Sequence, residues 1–259
     1  EIIDSLKSVF RRYRSDEVLG DGLKALIRDI FTPLKNKLGW EPKGGKDARV
    51  TDAALRQAVF AMMATADDEQ VVQQAKTKFW NGWESIPAEF QALFFTLVVK
   101  KEGNKGYVAV KKIFEGANEA ILKRRALVAL GAAPDEKLQI QTLNWACTSD
   151  SGVRSQDVRF AFASVTRAGS QVAWKWMNDN WEALEKKFPG ARVWEAIIGN
   201  LTPKFNTEAQ AKMVENFALE RKLESRVVSQ AIERMYALAE RREREMGKLG
   251  EYLASRRSS

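Results

Sequence analysis

The chain has 259 residues, 45% hydrophobic and 29% charged, with 42 Lys and Arg against 34 Asp and Glu and a formal net charge of +8; this is the balance of an ordinary globular protein. It holds one cysteine and no histidine, which excludes His-based triads, Cys–His dyads, the HExxH zinc motif and a Cys-only zinc site. No apolar run approaches the roughly 20 residues of a membrane span, the longest being "ALFFTLVV", so no membrane partner is expected.

In chain order the pattern is helical throughout. Ile2, Ile3, Leu6, Val9, Phe10 and Tyr13 form one face of a first helix. A second segment carries Leu19, Leu23, Leu26, Ile27, Ile30, Phe31, Leu34 and Leu38, with a bend or break expected at Pro33 and a stop at Gly39. The Pro/Gly-rich stretch at 40–49 reads as the longest loop, expected to be mobile because it is polar and short of anchoring side chains. Thr51 or Asp52 is expected to cap a helix carrying Leu55, Val59, Met62 and Met63, and Asp67 or Asp68 the next, with Val71, Val72, Ala75 and Phe79. Pro87 suits the first turn of a helix running to Gly103. Further helices are predicted over 104–116, 118–131, 135–149, 155–168, 170–188, 191–201 and 206–220, and a last one from about Leu223 to Ala254 that could bend near Gly247.

Helix pairs of 30 to 45 residues joined by short turns fit a stack better than a bundle of about a dozen helices. The expected fold is therefore all-α: one domain over 1–259, an irregular superhelical stack of antiparallel helix pairs of the HEAT/armadillo-like α-solenoid kind, shaped as a concave bowl. The apolar set of the first helix spans more than a narrow stripe. It is expected to stay partly exposed where an earlier repeat would pack, and the chain to be a fragment lacking its first helices.

The basic clusters are "FRRYR" (10–14), "LKRRA" (122–126), "ERREREMGK" (240–248) and the tail "SRRSS". Acidic residues intersperse most of the helices, and the tryptophans fall on apolar stripes more often than among the basic clusters, so no nucleic-acid partner is expected. Cys147, beside Leu143 and Ala146, reads as a buried small apolar residue. That fits a reducing compartment, and a cytoplasmic location is expected.

Two stretches carry a family pattern. Val153, Arg154, Gln156 and Asp157 are followed by Ala173, Trp174, Trp176, Asn180, Trp181 and Leu184. Together they resemble the C-terminal helical domain of the gluzincin-class zinc aminopeptidases, nearest the puromycin-sensitive type. Residues 19–40, 121–146 and 229–253 resemble that family's other segments in the same order, although the family usually has a Trp near the position of Arg241. The resemblance implies a non-catalytic domain that encloses the active-site chamber of a peptidase and contributes to peptide binding and size selection. The partners it implies are a peptide substrate and a catalytic domain upstream in the same chain. That domain would hold the zinc; this chain alone is expected to be no enzyme and to carry no cofactor. The competing reading is a free-standing solenoid that binds proteins on its concave face.

Arg154, Gln156 and Asp157 bunch where a helix should begin, and three readings stay open. Ser151 or Ser155 could cap the helix, with Asp157 favourable near its positive end and Arg154 in a surface ion pair. Alternatively the resemblance places this helix start, with Arg154, Gln156 and Asp157, on the concave side, where Gln156 and Arg154 would point into the peptide chamber and backbone N–H groups and the neutral amide could bind peptide carbonyls. The third reading is a surface for a partner protein. Trp174, Trp181 and Phe188 are read as core.

Overall fold

The computed structural model describes residues 2–41, 50–188, 195, 197–199 and 204–257, and every regular element among them is helical. The helices are α1 (Ile2–Tyr13), α2 (Glu17–Leu38), α3 (Val50–Thr65), α4 (Glu69–Gly82), α5 (Ala88–Glu102), α6 (Asn104–Gly116), α7 (Ala120–Leu130), α8 (Glu136–Ala146), α9 (Val158–Ala168), α10 (Ser170–Asp179), α11 (Trp181–Lys187), α12 (Glu208–Glu220) and α13 (Arg226–Arg257). The predicted all-α class holds. The chain packs as two compact units, residues 1–90 with 242–259, and residues 91–241. The loop at 42–49 and most of the helix predicted at 191–201 lie outside the described residues.

In the first unit, α1 and α3 both pack on α2. Phe10 and Tyr13 of α1 are buried, Leu6, Val9 and Ile3 are half-buried, and Ile2 is 70% exposed. Asp16 caps α2 by accepting from Leu19 N–H at 2.9 Å, and α2 runs unbroken through Pro33 to stop at Gly39, whose φ of 60° an L side chain would resist. The expected break at Pro33 is thus absent: the missing N–H costs one hydrogen bond, while Leu26, Ile27 and Phe31 on the same helix stay buried. Helix α3 has already begun at Val50, so Thr51 and Asp52 lie inside it. Asp68 is the cap of α4, as predicted, accepting from Val71 N–H at 2.9 Å. Trp40 stacks against Phe60 with centroids 3.8 Å apart and meets Phe90 edge-on. The C-terminal part of α13 closes this unit: Glu245 accepts from Arg12 and Tyr13 at 2.9 and 3.2 Å, and Leu253 packs where Gly22 has no Cβ.

The second unit is a succession of helices in which α7 packs on α6 and α9, and α9 also on α8 and α10. α6 and α7, joined by three residues, pack along each other and so run back on each other as an antiparallel pair. Small residues set the closest approaches. A Cβ on Gly106 would stand 2.4 Å from the Val98 carbonyl oxygen, and one on Gly131 would stand 2.5 Å from Ser164 Cβ. Trp174, Trp176, Met177, Trp181, Leu184 and Phe188 join Phe162, Phe205 and Phe217 in one core, together with Val228, Ala231 and Met235 of α13. The core reading of Trp174, Trp181 and Phe188 is therefore correct.

Two predicted helices prove segmented. The helix predicted over 170–188 breaks at Asn180, whose amide donates to the Trp176 carbonyl at 2.8 Å and competes with the backbone for it. The helix predicted over 155–168 begins as a 3-10 turn, Ser155–Asp157, and becomes α-helical only at Val158. In contrast, α13 continues through Gly247 over its whole length.

Candidate functional site

The segment between α8 and α9 is built from short-range geometry. Ser151 Oγ donates to the Thr148 carbonyl at 2.9 Å and accepts from Val153 N–H at 3.1 Å, which folds a 3-10 turn over Ser149–Ser151. Gly152 then takes a left-handed conformation, φ 69° and ψ 4°, that favours glycine. The chain leaves it extended at Arg154 and turns into the Ser155–Asp157 turn, where Asp157 N–H donates to the Arg154 carbonyl at 2.7 Å. Arg154 Nε reaches back to Asp157 Oδ2 at 2.6 Å. The carboxylate is mostly enclosed, with 14% of its side chain exposed against 53% for the arginine.

Neither serine caps α9. The Ser151 hydroxyl is occupied within its own turn, and the inserted 3-10 turn leaves Ser155 three residues ahead of the helix. Asp157 occupies the cap position with φ −92° and ψ −13° and makes no side-chain cap bond. A side-chain cap needs an extended residue at that position; here the carboxylate serves the arginine instead.

Arg154 and Asp157 form one wall of a cavity of about 190 Å³. The opposite wall comes from α7 and the end of α6: Lys123, Arg124, Leu127 and Phe114. Lys123 Nζ lies 5.3 Å from the Phe114 ring centroid and Arg124 Cζ 5.5 Å from that of Phe160, contacts that position a cation without neutralising it. Gln156 is exposed and does not line this cavity. The structure thus brings Arg154 and Asp157 together and leaves Gln156 outside. It also adds Lys123 and Arg124, which the sequence showed only as part of the "LKRRA" cluster.

Cys147 packs, half-buried, at the edge of the second unit's core. Burial pushes its thiol up to about 11, opposed by the nearby Lys187, whose ammonium donates to the Cys147 carbonyl. A shift of this size from 9 leaves about a hundredth of the usual thiolate at neutral pH, and the thiolate is the reacting species. Alkylation by iodoacetamide at pH 8 is expected to run at least tenfold slower in the native protein than in urea. Equal rates, followed by mass spectrometry, would show an accessible, ordinary thiol.

The sequence does not supply the His or Cys set of a usual zinc site. It has no His and one Cys, and among the described residues no three Cys, Asp or Glu side chains gather into a group that could hold an ion. Among the described residues, likewise, no helix is long and apolar enough to cross a membrane.

The second unit is all-α and holds a basic cavity beside a turn–helix junction. The family model described as the ERAP1-like C-terminal domain matches residues 1–237, and the chain belongs to that family. It is 25% identical over 232 residues to aminopeptidase M1 of Arabidopsis thaliana, covering 86% of this chain and 26% of that protein. With the alanine/arginine aminopeptidase of Saccharomyces cerevisiae it shares 26% identity over 207 residues, covering 76% and 24% of the two chains. With the glutamyl aminopeptidase of Mus musculus it shares 22% over 222 residues, covering 83% and 23%. The chain thus spans about a quarter of the length of the relatives it matches.

Proposed function

We propose that this chain is the non-catalytic C-terminal domain of a cytoplasmic aminopeptidase, covering the substrate chamber of a catalytic domain in the same polypeptide. In this reading it contributes to binding and size selection of peptides from which N-terminal residues are removed. The observation that supports this most is the family match over residues 1–237, which leaves three quarters of the relatives' length for other domains. Zinc, which the resemblance implies, would supply the hydrolytic chemistry in that other domain, since the residues of this chain do not fit it.

The part assigned to this chain is positional. Arg154 carries a fixed charge oriented by Asp157 at 2.6 Å, and it keeps half of its side chain exposed for a second partner. Gln156 offers both a donor and an acceptor to a peptide backbone without demanding one side chain.

The test is made in the whole protein with a peptide of several residues and a single-residue chromogenic substrate. Gln156→Ala is expected to lower kcat/KM for the longer peptide roughly threefold to tenfold, the worth of one neutral hydrogen bond of about 0.5–1.5 kcal/mol. Arg154→Gln is expected to cost more, about tenfold or above, because a charged donor is worth about 1.5–3 kcal/mol. The single-residue substrate should change less in both variants. Equal losses on the two substrates would mean that the turn only supports the fold.

A further inference from the structure

Asn81 alone among the asparagines of this chain is followed by glycine, and the pair ends α4. Asn81 is exposed, and its side-chain amide makes no hydrogen bond among the described residues. Other asparagines are held: Asn180 by the Trp176 carbonyl, Asn144 by Trp176 Nε1 at 2.7 Å and Asn178 by Arg221 at 3.2 Å. Gly82 has φ 139° and ψ 92°, far from helical values and in a region that L side chains rarely adopt. The turn after α4 depends on that conformation. Ser85 Oγ donates to the Gly82 carbonyl at 2.8 Å, and Ile86, 2% exposed, anchors the chain beyond it. The fold therefore keeps a residue without a Cβ directly after an exposed and unheld amide. Asp21–Gly22 is the contrasting pair. It lies inside α2, with Asp21 bonded to Lys24 at 3.3 Å and Gly22 buried where Leu253 leaves no room for a Cβ.

We propose that Asn81–Gly82 is a self-modification site, where the chain closes an imide and converts the asparagine to aspartate in both its normal and its β-linked form. The Gly82 nitrogen gives its proton to hydroxide and attacks the Asn81 side-chain carbonyl carbon. A C–N bond forms, the bond to the side-chain nitrogen breaks, and ammonia leaves after taking a proton from water, which restores the hydroxide. Water then opens the five-membered imide at either carbonyl. Net, one water is taken up and one ammonia is lost, so no oxidant, metal or enzyme is needed. Glycine leaves the attacking nitrogen unshielded, and a terminal helical turn opens more readily than an interior one. The product is not silent. A new carboxylate stands at the negative end of α4, where an anion is unfavourable and the last turn has no basic residue. The cation one turn back, Lys78, already faces Glu41 at 3.7 Å, and a Cβ on Gly82 would stand 3.9 Å from Glu84 Oε2. The β-linked form also adds a backbone atom between two fixed points, the buried Phe79 and Ile86, so the turn has to loosen. This inference is independent of the peptide-binding reading.

The experiment incubates the whole protein for weeks at neutral and at mildly alkaline pH and maps its peptides by mass spectrometry. Enzymatic methylation of the free α-carboxylate serves as the probe for the β-linked form. Acid at position 81 is expected to appear at least about tenfold faster than at any other asparagine, to speed up with pH, and to include the β-linked isomer. Asp21–Gly22 should stay unmodified in the native protein and react only in urea. Asn81→Gln, which would have to close a larger ring at the same exposed position, should remove the signal. The aged form, separated by ion exchange, should be cut by trypsin at Lys78 sooner than fresh protein, and sooner than Asn81→Asp, which carries the charge without the altered linkage. Acid at position 81 that forms in urea but not in the native protein would overturn the site, because the helix end then holds the amide out of reach. Acid without the β-linked isomer would overturn the imide route. Equal tryptic cleavage of aged and fresh protein would overturn the loosening of the turn.

Discussion

Replacing Lys35 by Met is expected to destabilise the first unit by about 3–5 kcal/mol, the cost of leaving one member of a buried ion pair uncompensated. Lys35 Nζ lies 3.2 Å from both carboxylate oxygens of Asp68 and 2.9 Å from Gln70 Oε1. The two side chains are 7% and 11% exposed, so water does not replace the lost ammonium. Asp68 would keep its bond from Val71 N–H, which satisfies a single lone pair of a full charge. The double variant Lys35→Met/Asp68→Asn should recover most of the loss. Asn still caps a helix, and a neutral pair removes the buried charge altogether. Urea midpoints of the two single variants and the double variant give the coupling directly. A loss below about 1 kcal/mol for Lys35→Met would place the pair among solvent-screened surface bridges.

Trp174→Ala is expected to cost a similar amount in the second unit. Trp174 is 6% exposed and meets Phe217 and Phe205 at centroid distances of 4.9 and 5.9 Å. Truncating a buried Trp removes its transfer energy and leaves a cavity, together about 3–5 kcal/mol, and each aromatic pair adds about 0.5–1.5 kcal/mol beyond area. Against a typical net stability of about 5–15 kcal/mol, one substitution should shift the urea transition of this unit by a large fraction of its midpoint. Trp174→Phe, which keeps a ring on Phe217, should lose markedly less. Equal losses in the two variants would show that the indole's extra size is what fills the site.

The helices themselves were legible because each buries one face, and the spacing of Val158, Phe162 and Val165, or of Trp174, Met177 and Trp181, records that face directly. Asp68 as a cap was legible for the same local reason: a short acidic side chain before a helix has one good use. Pro33 misled because propensity speaks for the isolated helix, whereas the buried residues around it decide for the folded one. Ser151 and Ser155 misled because several local hydrogen bonds compete for a serine, and only the turn geometry selects among them. Lys123 and Arg124 read as a solvated basic cluster, for nothing in "LKRRA" says that the Gly152–Asp157 turn, some 30 residues later, folds back over them.

The sequence by itself determined the all-α class, the faces that enter the cores, the lack of a histidine-based catalytic or zinc site, and the family. These depend on periodicity, composition and ordered motifs within one segment at a time. Only the tertiary structure decided that Lys35 finds Asp68, that Asp157 serves Arg154 instead of capping α9, and that α7 and the turn before α9 enclose a basic cavity. Each joins groups from separate elements or chooses between rival local partners. That choice is fixed by packing, through close approaches such as Gly131 against Ser164, and leaves no periodic trace in the chain.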